Sequence, residues 1–510
     1  MSDDKRSSRS LTQRTITGML WTSWGKGAYT VLQLGVLAVM ARLITPAQFG
    51  VVSAAIVVIG FSAVFSQLGL GPALVQRGEL EQRHLDTAFS ASVLFGLLLG
   101  TIIWLGAPVA AEFLRIPDVR PVLRALACVF VLQGLGVASE SLLRRDLRFR
   151  WLANLDVVSY ALGYGAVGIA LALAGWGVWA LVAGQISQSV VRNGALLIRR
   201  PPRLPPSLEG RAFRELLYFG GGFTLAKAAN YVAVQGDNMV VGRFLGPQAL
   251  GFYGRAYSLM SAPAYAFGTV LDQVLFPAMA KVQHEPQRLA MAYRRGVSLI
   301  ALLVLAPSAA LILLGPEFIG VVLGHRWALA VPSFQVLALG MLFRTSYKMS
   351  DSLARSTGVV YQRAWRQVLY AGLVLLGAGI GQFWGIVGVA WGALLALTVN
   401  FFVMAELSVR VTSMTWANFW EAHVPAVRLT LVSFPFVWAT TAVLRSWSLP
   451  SLVVLAAGAL VCGASMVIPW IVAPQLFLGR DGLWVLEALR GLLPGVRRRR
   501  APLPQPEAQP

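Results

Sequence analysis

Long apolar runs broken by short polar stretches fill this chain from end to end. Fourteen can be read, at about 17–44, 49–75, 88–112, 121–143, 153–173, 177–198, 215–245, 249–278, 296–315, 330–353, 367–382, 386–408, 427–444 and 451–473. About 20 apolar residues cross the hydrocarbon of a bilayer as helix. Longer runs tilt or extend beyond it. The pattern predicts an all-α polytopic membrane protein with about 14 transmembrane helices. The first residues, MSDDKRSSRSLTQR, are polar and show no signal-peptide cleavage site, so the first helix is expected to stay as an anchor.

The runs fall into two sets of six. ARLITPAQFG at 41–50 matches GRFLGPQALG at 242–251, so Arg42, Pro46 and Gly50 recur as Arg243, Pro247 and Gly251. Carried back without a gap, the same offset pairs Lys26 with Lys227. SESLLR at 139–144 matches SDSLAR at 350–355, and Trp176-Gly177 echoes Trp384-Gly385. Three blocks in one order point to a duplication. With six spans per copy, both copies enter the membrane from the same side, which is a parallel repeat about the membrane normal. The expected organisation is an N-terminal tail at 1–14, an N-lobe at 15–198, a linker at 199–214, a C-lobe at 215–408, two further spans at 427–473, and a basic, proline-rich tail at 474–510. The linker, RRPPRLPPSLEGRAFR, is the clearest break.

Composition agrees. The chain is 56% hydrophobic and 13% charged, with a mean hydropathy of +0.66; soluble domains carry about 25% charged residues. The net charge of +21 could suggest nucleic acid. However, 31 of the 43 lysines and arginines fall on one side of an N-terminus-inside arrangement, and eight on the other. That is the positive-inside pattern, and it puts both termini in the cytoplasm. Cys128 and Cys462 lie in apolar runs and offer no metal-site spacing.

Four basic residues fall inside spans: Lys26, Lys227, Arg344 and Lys348. Lys26 and Lys227 each precede their terminal arginine by 16 residues, or roughly 24 Å of helix. Reaching for headgroups is one reading. The other is a wet interior, because a charge at the bilayer centre costs about 2.5–3.5 kcal/mol on insertion scales. Gly25, Gly27, Ala226 and Ala228 leave room around both lysines. Arg344, Lys348, Asp351 and Arg355 share one helix face, a stripe that either leans to headgroups or lines a cavity. Arg255 and Tyr257 open the eighth span near its outer end. Asp237 has no basic residue three or four positions away, and is a candidate ion-coupling site or a partner of Arg255. Glu140 with Arg144, Asp146 with Arg150, Asp351 with Arg355 and Glu406 with Arg410 read as salt bridges at helix ends. Arg42 and Arg243 read as structural, each before a proline that starts the next helix. Tryptophans and tyrosines near span ends read as interface anchors.

No phosphate-binding GxxxxGK[ST] loop, HExxH or GxSxG occurs, the four histidines are isolated, and no large loop could house a catalytic centre. Neither enzyme chemistry nor a cofactor is expected.

With ARLITPAQFG, GRFLGPQALGFYGRAYSL and QLGLGPALVQR, and the six-plus-six-plus-two pattern, the chain resembles the Wzx-type polysaccharide flippases of the multidrug/oligosaccharidyl-lipid/polysaccharide (MOP) exporter superfamily. The resemblance covers about residues 12–475 and is nearest to the branch serving exopolysaccharides such as colanic acid, succinoglycan and xanthan. It implies two lobes that alternate between inward- and outward-open states in the cytoplasmic (inner) membrane. The implied cargo is an undecaprenyl-pyrophosphate-linked oligosaccharide repeat unit, with membrane lipids around it and the polymerase and co-polymerase of the same pathway as candidate partners. No nucleic acid is implied. In related flippases, basic residues of the first, second and eighth spans line the cavity. Lys26 and Arg255 occupy the first and eighth here, while the second has no basic residue before Arg77. Together with Lys227, Arg344 and Lys348 they form the candidate substrate-binding set. The last two spans would offer an apolar groove for the lipid tail. Another transporter of the superfamily, a lipid II flippase or a drug/cation antiporter, is the alternative.

Overall fold

The computed structural model describes residues 27–66, 70–71, 74, 81–201 and 209–490; the side chains of 211–229 and a few others lie outside that description. Among the described residues the chain is helical, without strands. The helices are α1 (Gly27–Leu43), α2 (Pro46–Ser66), α3 (Gln82–Leu114), α4 (Val119–Arg145), α5 (Phe149–Leu173), α6 (Val178–Arg199), α7 (Gly210–Lys281), α8 (Pro286–Leu313) and α9 (Gly315–Val322). They continue as α10 (His325–Leu339), α11 (Met341–Ser356), α12 (Val360–Gly381), α13 (Gly385–Thr412), α14 (Val424–Ser446), α15 (Ser451–Val472) and α16 (Gly479–Arg490).

Helix occupies the described part of each of the fourteen predicted runs. Two of those runs form the halves of α7, which meet at Gly246 with φ 85° and ψ 179°; Pro247 then opens the second half, where a missing N–H costs nothing. The tenth run is the pair α10–α11, bent by 45°. Among the described residues, eight helical segments are long and apolar enough to cross a membrane on their own, or nine with the bent pair taken as one. The count of fourteen is therefore not reached on that measure. Neither α6 nor α7 is among the eight, and both carry polar residues inside their apolar runs: Gln185, Gln188 and Arg192 on α6, Asp237 and Arg255 on α7. Leucines and valines such as Leu98, Leu105, Val109, Leu376 and Leu460 are exposed on the bundle surface, as lipid-facing residues must be.

The duplication is visible in the backbone. A β-carbon at Gly50 would fall 1.7 Å from the carbonyl oxygen of Pro247, and one at Gly251 would fall 1.9 Å from that of Pro46. Each copy's glycine thus lies against the other copy's proline. Gly177 and Gly385, before α6 and α13, both have positive φ, 53° and 68°, so the third repeated block marks the same left-handed turn in each lobe.

At this end of the bundle the lobes are tied together. The Arg42 guanidinium donates to the carbonyls of Val321 (2.6 Å) and Val322 (3.3 Å) at the end of α9. The Arg243 guanidinium donates to the carbonyl of Phe113 near the end of α3. Trp327, fully buried, donates from Nε1 to Ala41 O at 2.9 Å and meets Phe49 and Phe252 edge-on.

The opposite, arginine-rich end holds ion-pair networks in both lobes. Glu140 binds Arg144 on its own helix and Arg192 of α6, which also binds Asp156 of α5. Its repeat counterpart Asp351 binds Arg355 and Arg363, and Glu406 binds Arg366 and Arg410. Asp146 pairs with Arg200. The helix α16 lies in the stretch read as a tail, and its Asp481 pairs with Arg294 of α8 at 2.9 Å.

Candidate functional site

The structure separates the candidate residues into two places. The first is a cavity of about 490 Å³ bounded by α1, α2, α5, α6 and the second half of α7. Arg255 is its one charged lining residue among those described. It lies roughly two and a half turns past the Gly246 break, deeper than the outer helix end at which its sequence position placed it. Its Nη2 reaches Ser53 Oγ at 3.4 Å, its guanidinium stands 5.2 Å from the centre of the Phe49 ring, and its Nε is buried without a hydrogen-bond partner. No acid pairs with it among the described residues.

Around that cation the polar lining is uncharged; beside Thr30 and Ser258 it holds Tyr29, Gln33, Tyr160, Tyr164, Gln185 and Gln188. Tyr160 stacks on Tyr164 with centroids 5.1 Å apart, Tyr29 meets Tyr160 edge-on at 5.2 Å, and Tyr164 OH donates to Gln185 Oε1 at 2.7 Å. Of the two α5 tyrosines, Tyr160 immediately precedes a π-helical stretch, Ala161–Gly168, and Tyr164 lies within it. Such widened turns are rare and recur at functional sites. None of these six residues was picked out from the sequence. Their signal was present as spacing: Tyr29/Gln33, Tyr160/Tyr164 and Gln185/Gln188 are four, four and three apart within apolar runs, so each pair shares a helix face.

The second place is a narrow cavity of about 10 Å³ in the C-lobe, room for a single water at most. Asp237, Arg344, Tyr257 and Tyr370 line it. Asp237 and Arg344 are each only 2% exposed. Asp237 accepts from Tyr253 OH at 2.7 Å and from the Asn238 backbone N–H at 2.8 Å, so it meets Tyr253 and not Arg255. The Arg344 guanidinium lies 4.8 Å from the Tyr257 ring centre. Lys348, one turn on, has its ammonium 5.1 Å from the Tyr347 ring centre. The stripe on α11 therefore divides: Arg344 turns into the core, whereas Asp351 and Arg355 pair at 3.2 Å. Lys26 lies outside the described residues, and Lys227 sits on α7 with its side chain outside that description.

Residues 39–332 match the family described as polysaccharide biosynthesis protein. The chain is 25% identical over 422 residues to the teichuronic acid biosynthesis protein TuaB of Bacillus subtilis (strain 168), covering 81% of this chain and 86% of that one. It is 25% identical over 415 residues to the lipopolysaccharide biosynthesis protein WzxC of Escherichia coli (strain K12), covering 78% and 82%. The fold is similar to that of the lipid II flippase MurJ in an inward closed conformation, with a TM-score of 0.71, 13% identity, and coverage of 88% of this chain and 99% of that one.

Proposed function

The chain belongs to the polysaccharide biosynthesis protein family, and on that premise we propose that it is a flippase that moves polyprenyl-pyrophosphate-linked oligosaccharide repeat units across the cytoplasmic membrane. One observation carries the reading. Among the described residues, an arginine without a counter-ion points into a cavity whose other polar groups are neutral. A buried cation is costly unless an anion meets it, and pyrophosphate supplies one. Attraction between the two is strengthened by the low dielectric of the bundle. Separated cations around a wide cavity, rather than a closed cage of them, also let the cargo leave.

Residues 15–198 and 215–408 would then act as the two lobes of an alternating-access carrier, with 199–214 joining them and 427–473 flanking the lipid tail. Taking the arginine-rich end as cytoplasmic puts both termini inside and the Arg42–Arg243 end outside. The described contacts close that outer end. Lys26 and Lys227 would meet the pyrophosphate from the inner leaflet, and Arg344 and Lys348 would extend the basic lining when the C-lobe cavity opens. Asp237, held by Tyr253 beside Arg344, is the candidate for coupling to H⁺ or Na⁺. The polymerase and co-polymerase of the pathway would take the cargo onward.

A cation-drug antiporter reading is weaker. It needs a buried acid facing a roomy cavity, and Asp237 faces one of about 10 Å³ beside an arginine. The test is export in a strain lacking its own copy of the gene. Arg255→Gln should lower polymer export more than tenfold and cause lipid-linked repeat units to accumulate at the inner leaflet, while Arg255→Lys should retain part of the activity. Export at the unmutated level by Arg255→Gln protein present at normal abundance would sink the reading.

A further inference from the structure

We infer that the phenol and amide wall of the N-lobe cavity, Tyr29, Gln33, Tyr160, Tyr164, Gln185 and Gln188, recognises an uncharged pyranose carried next to the phosphate that Arg255 binds. The inference rests on the flippase reading and adds which residues read the sugar.

The chemistry of the wall is that of a polyhydroxylated ligand. Each glutamine amide offers two donors and an acceptor, and each phenol offers both functions, so together they can match hydroxyl groups, which also give and take. A tyrosine adds an apolar face with a polar tip, suited to a sugar ring whose C–H faces are apolar and whose rim is wet. An anion alone would call for more donors and fewer acceptors. A charged sugar would call for a second charge, and Arg255 is the one charged residue on this lining among those described.

The wall is also preorganised. A β-carbon at Gly163, inside the π-helical stretch, would fall 2.6 Å from Gln188, so α5 presses directly on that residue. One at Gly184 would fall 2.9 Å from the Tyr164 ring, so α6 makes a seat for that ring, whose hydroxyl then binds Gln185. Tyr160 and Tyr164 stand one over the other where this stretch begins, and both line the cavity. Among the described residues of the C-lobe, Tyr257 and Tyr370 instead line a space of about 10 Å³ together with Arg344.

A site built to bond hydroxyls discriminates against a ligand without them, because its own polar groups are then left unpaired. The test uses the full-length protein in detergent with four probes: a short-chain isoprenyl pyrophosphate, and the same carrier bearing glucose, galactose or N-acetylglucosamine. At least one sugar should raise affinity by about tenfold or more over the bare carrier. Gln33→Leu and Gln188→Leu should each remove that gain and leave affinity for the bare carrier unchanged. Should Gln188→Leu fail to yield monodisperse protein, Gln33→Leu on α1, half-buried at the cavity edge, makes the same comparison. No gain from any sugar, a gain that survives both substitutions, or an equal loss for bare and sugar-bearing carriers would overturn the inference. Arg255→Gln separates the two levels. It should weaken all four probes alike; if it weakens none, the flippase reading of this cavity fails, whereas an Arg255 effect without a sugar effect overturns only the role given to the wall.

Discussion

At the scale of single residues, the two deep polar sites differ in whether their partners are already in place. Asp237 has a tyrosine hydroxyl and a backbone N–H on its two oxygens and an arginine lining the same narrow space. Arg255 has one long contact to a serine. A satisfied buried group stabilises the fold, and an unsatisfied one calls for an explanation, which at a cavity a ligand can supply. Tyr253→Phe should therefore act on stability. It leaves one oxygen of Asp237 without its donor, at a cost of about 1–3 kcal/mol, which should appear as a lower midpoint in thermal unfolding of the detergent-solubilised protein. Arg255→Gln should leave that midpoint unchanged and lower transport more than tenfold. A stability loss at Arg255 equal to that at Tyr253 would remove the distinction.

At the scale of elements, the sequence made the helices legible because a bilayer admits few other ways to satisfy a backbone. Apolar runs therefore mark helices, and glycine and proline mark their breaks, as at Gly246-Pro247. Charged residues inside the runs were legible for the same reason, since each one is costly. The neutral wall was not. A glutamine or tyrosine costs far less to insert than an arginine, so Gln185, Gln188, Tyr160 and Tyr164 merge into apolar runs unless their spacing is tested. The π-helical stretch of α5 likewise has no sequence signature beyond its glycines, and the split of the α11 stripe depends on tertiary packing. The repeated turn glycines were visible only as weak echoes, yet they make a sharp prediction. Gly385 has φ 68° and open space where a β-carbon would stand, with no heavy atom within 4 Å, whereas at Gly177 the Gln48 side chain lies 2.4 Å from that point. Gly385→Ala should cost about 1–3 kcal/mol of backbone strain. Gly177→Ala should cost that and the displacement of Gln48. Thermal unfolding midpoints should therefore fall in the order unmutated, Gly385→Ala, Gly177→Ala; a silent Gly385→Ala would show that the turn relaxes freely.

At the scale of the whole molecule, the first repeated block explains itself once the lobes are seen together. Its arginine, proline and glycine all work at the lobe interface. The prolines start α2 and the second half of α7. The glycines allow those starts to touch backbone to backbone. The arginines reach across: Arg42 of the N-lobe to the last carbonyls of α9, Arg243 of the C-lobe to a carbonyl near the end of α3. Helix C-termini gather unpaired carbonyls and partial negative charge, so each arginine closes the other lobe's helix end, and the pair acts as a reciprocal latch. These contacts exist only while the lobes meet at this end. A carrier that opens there must break both, and at about 1.5 kcal/mol each, the low end of the range for hydrogen bonds to a charged group, each latch shifts the balance about tenfold toward the closed state. The single substitutions Arg42→Ala and Arg243→Ala should each raise the fraction open at this end by about that factor, and the double variant by about a hundredfold if the two act independently. Nitroxide labels at Thr45 and Arg326, in a background with Cys128 and Cys462 changed to serine, would report it as a growing long-distance population in pulsed electron resonance. Identical distance distributions in all four proteins would show that the arginines stabilise each lobe by itself and do not hold the two together.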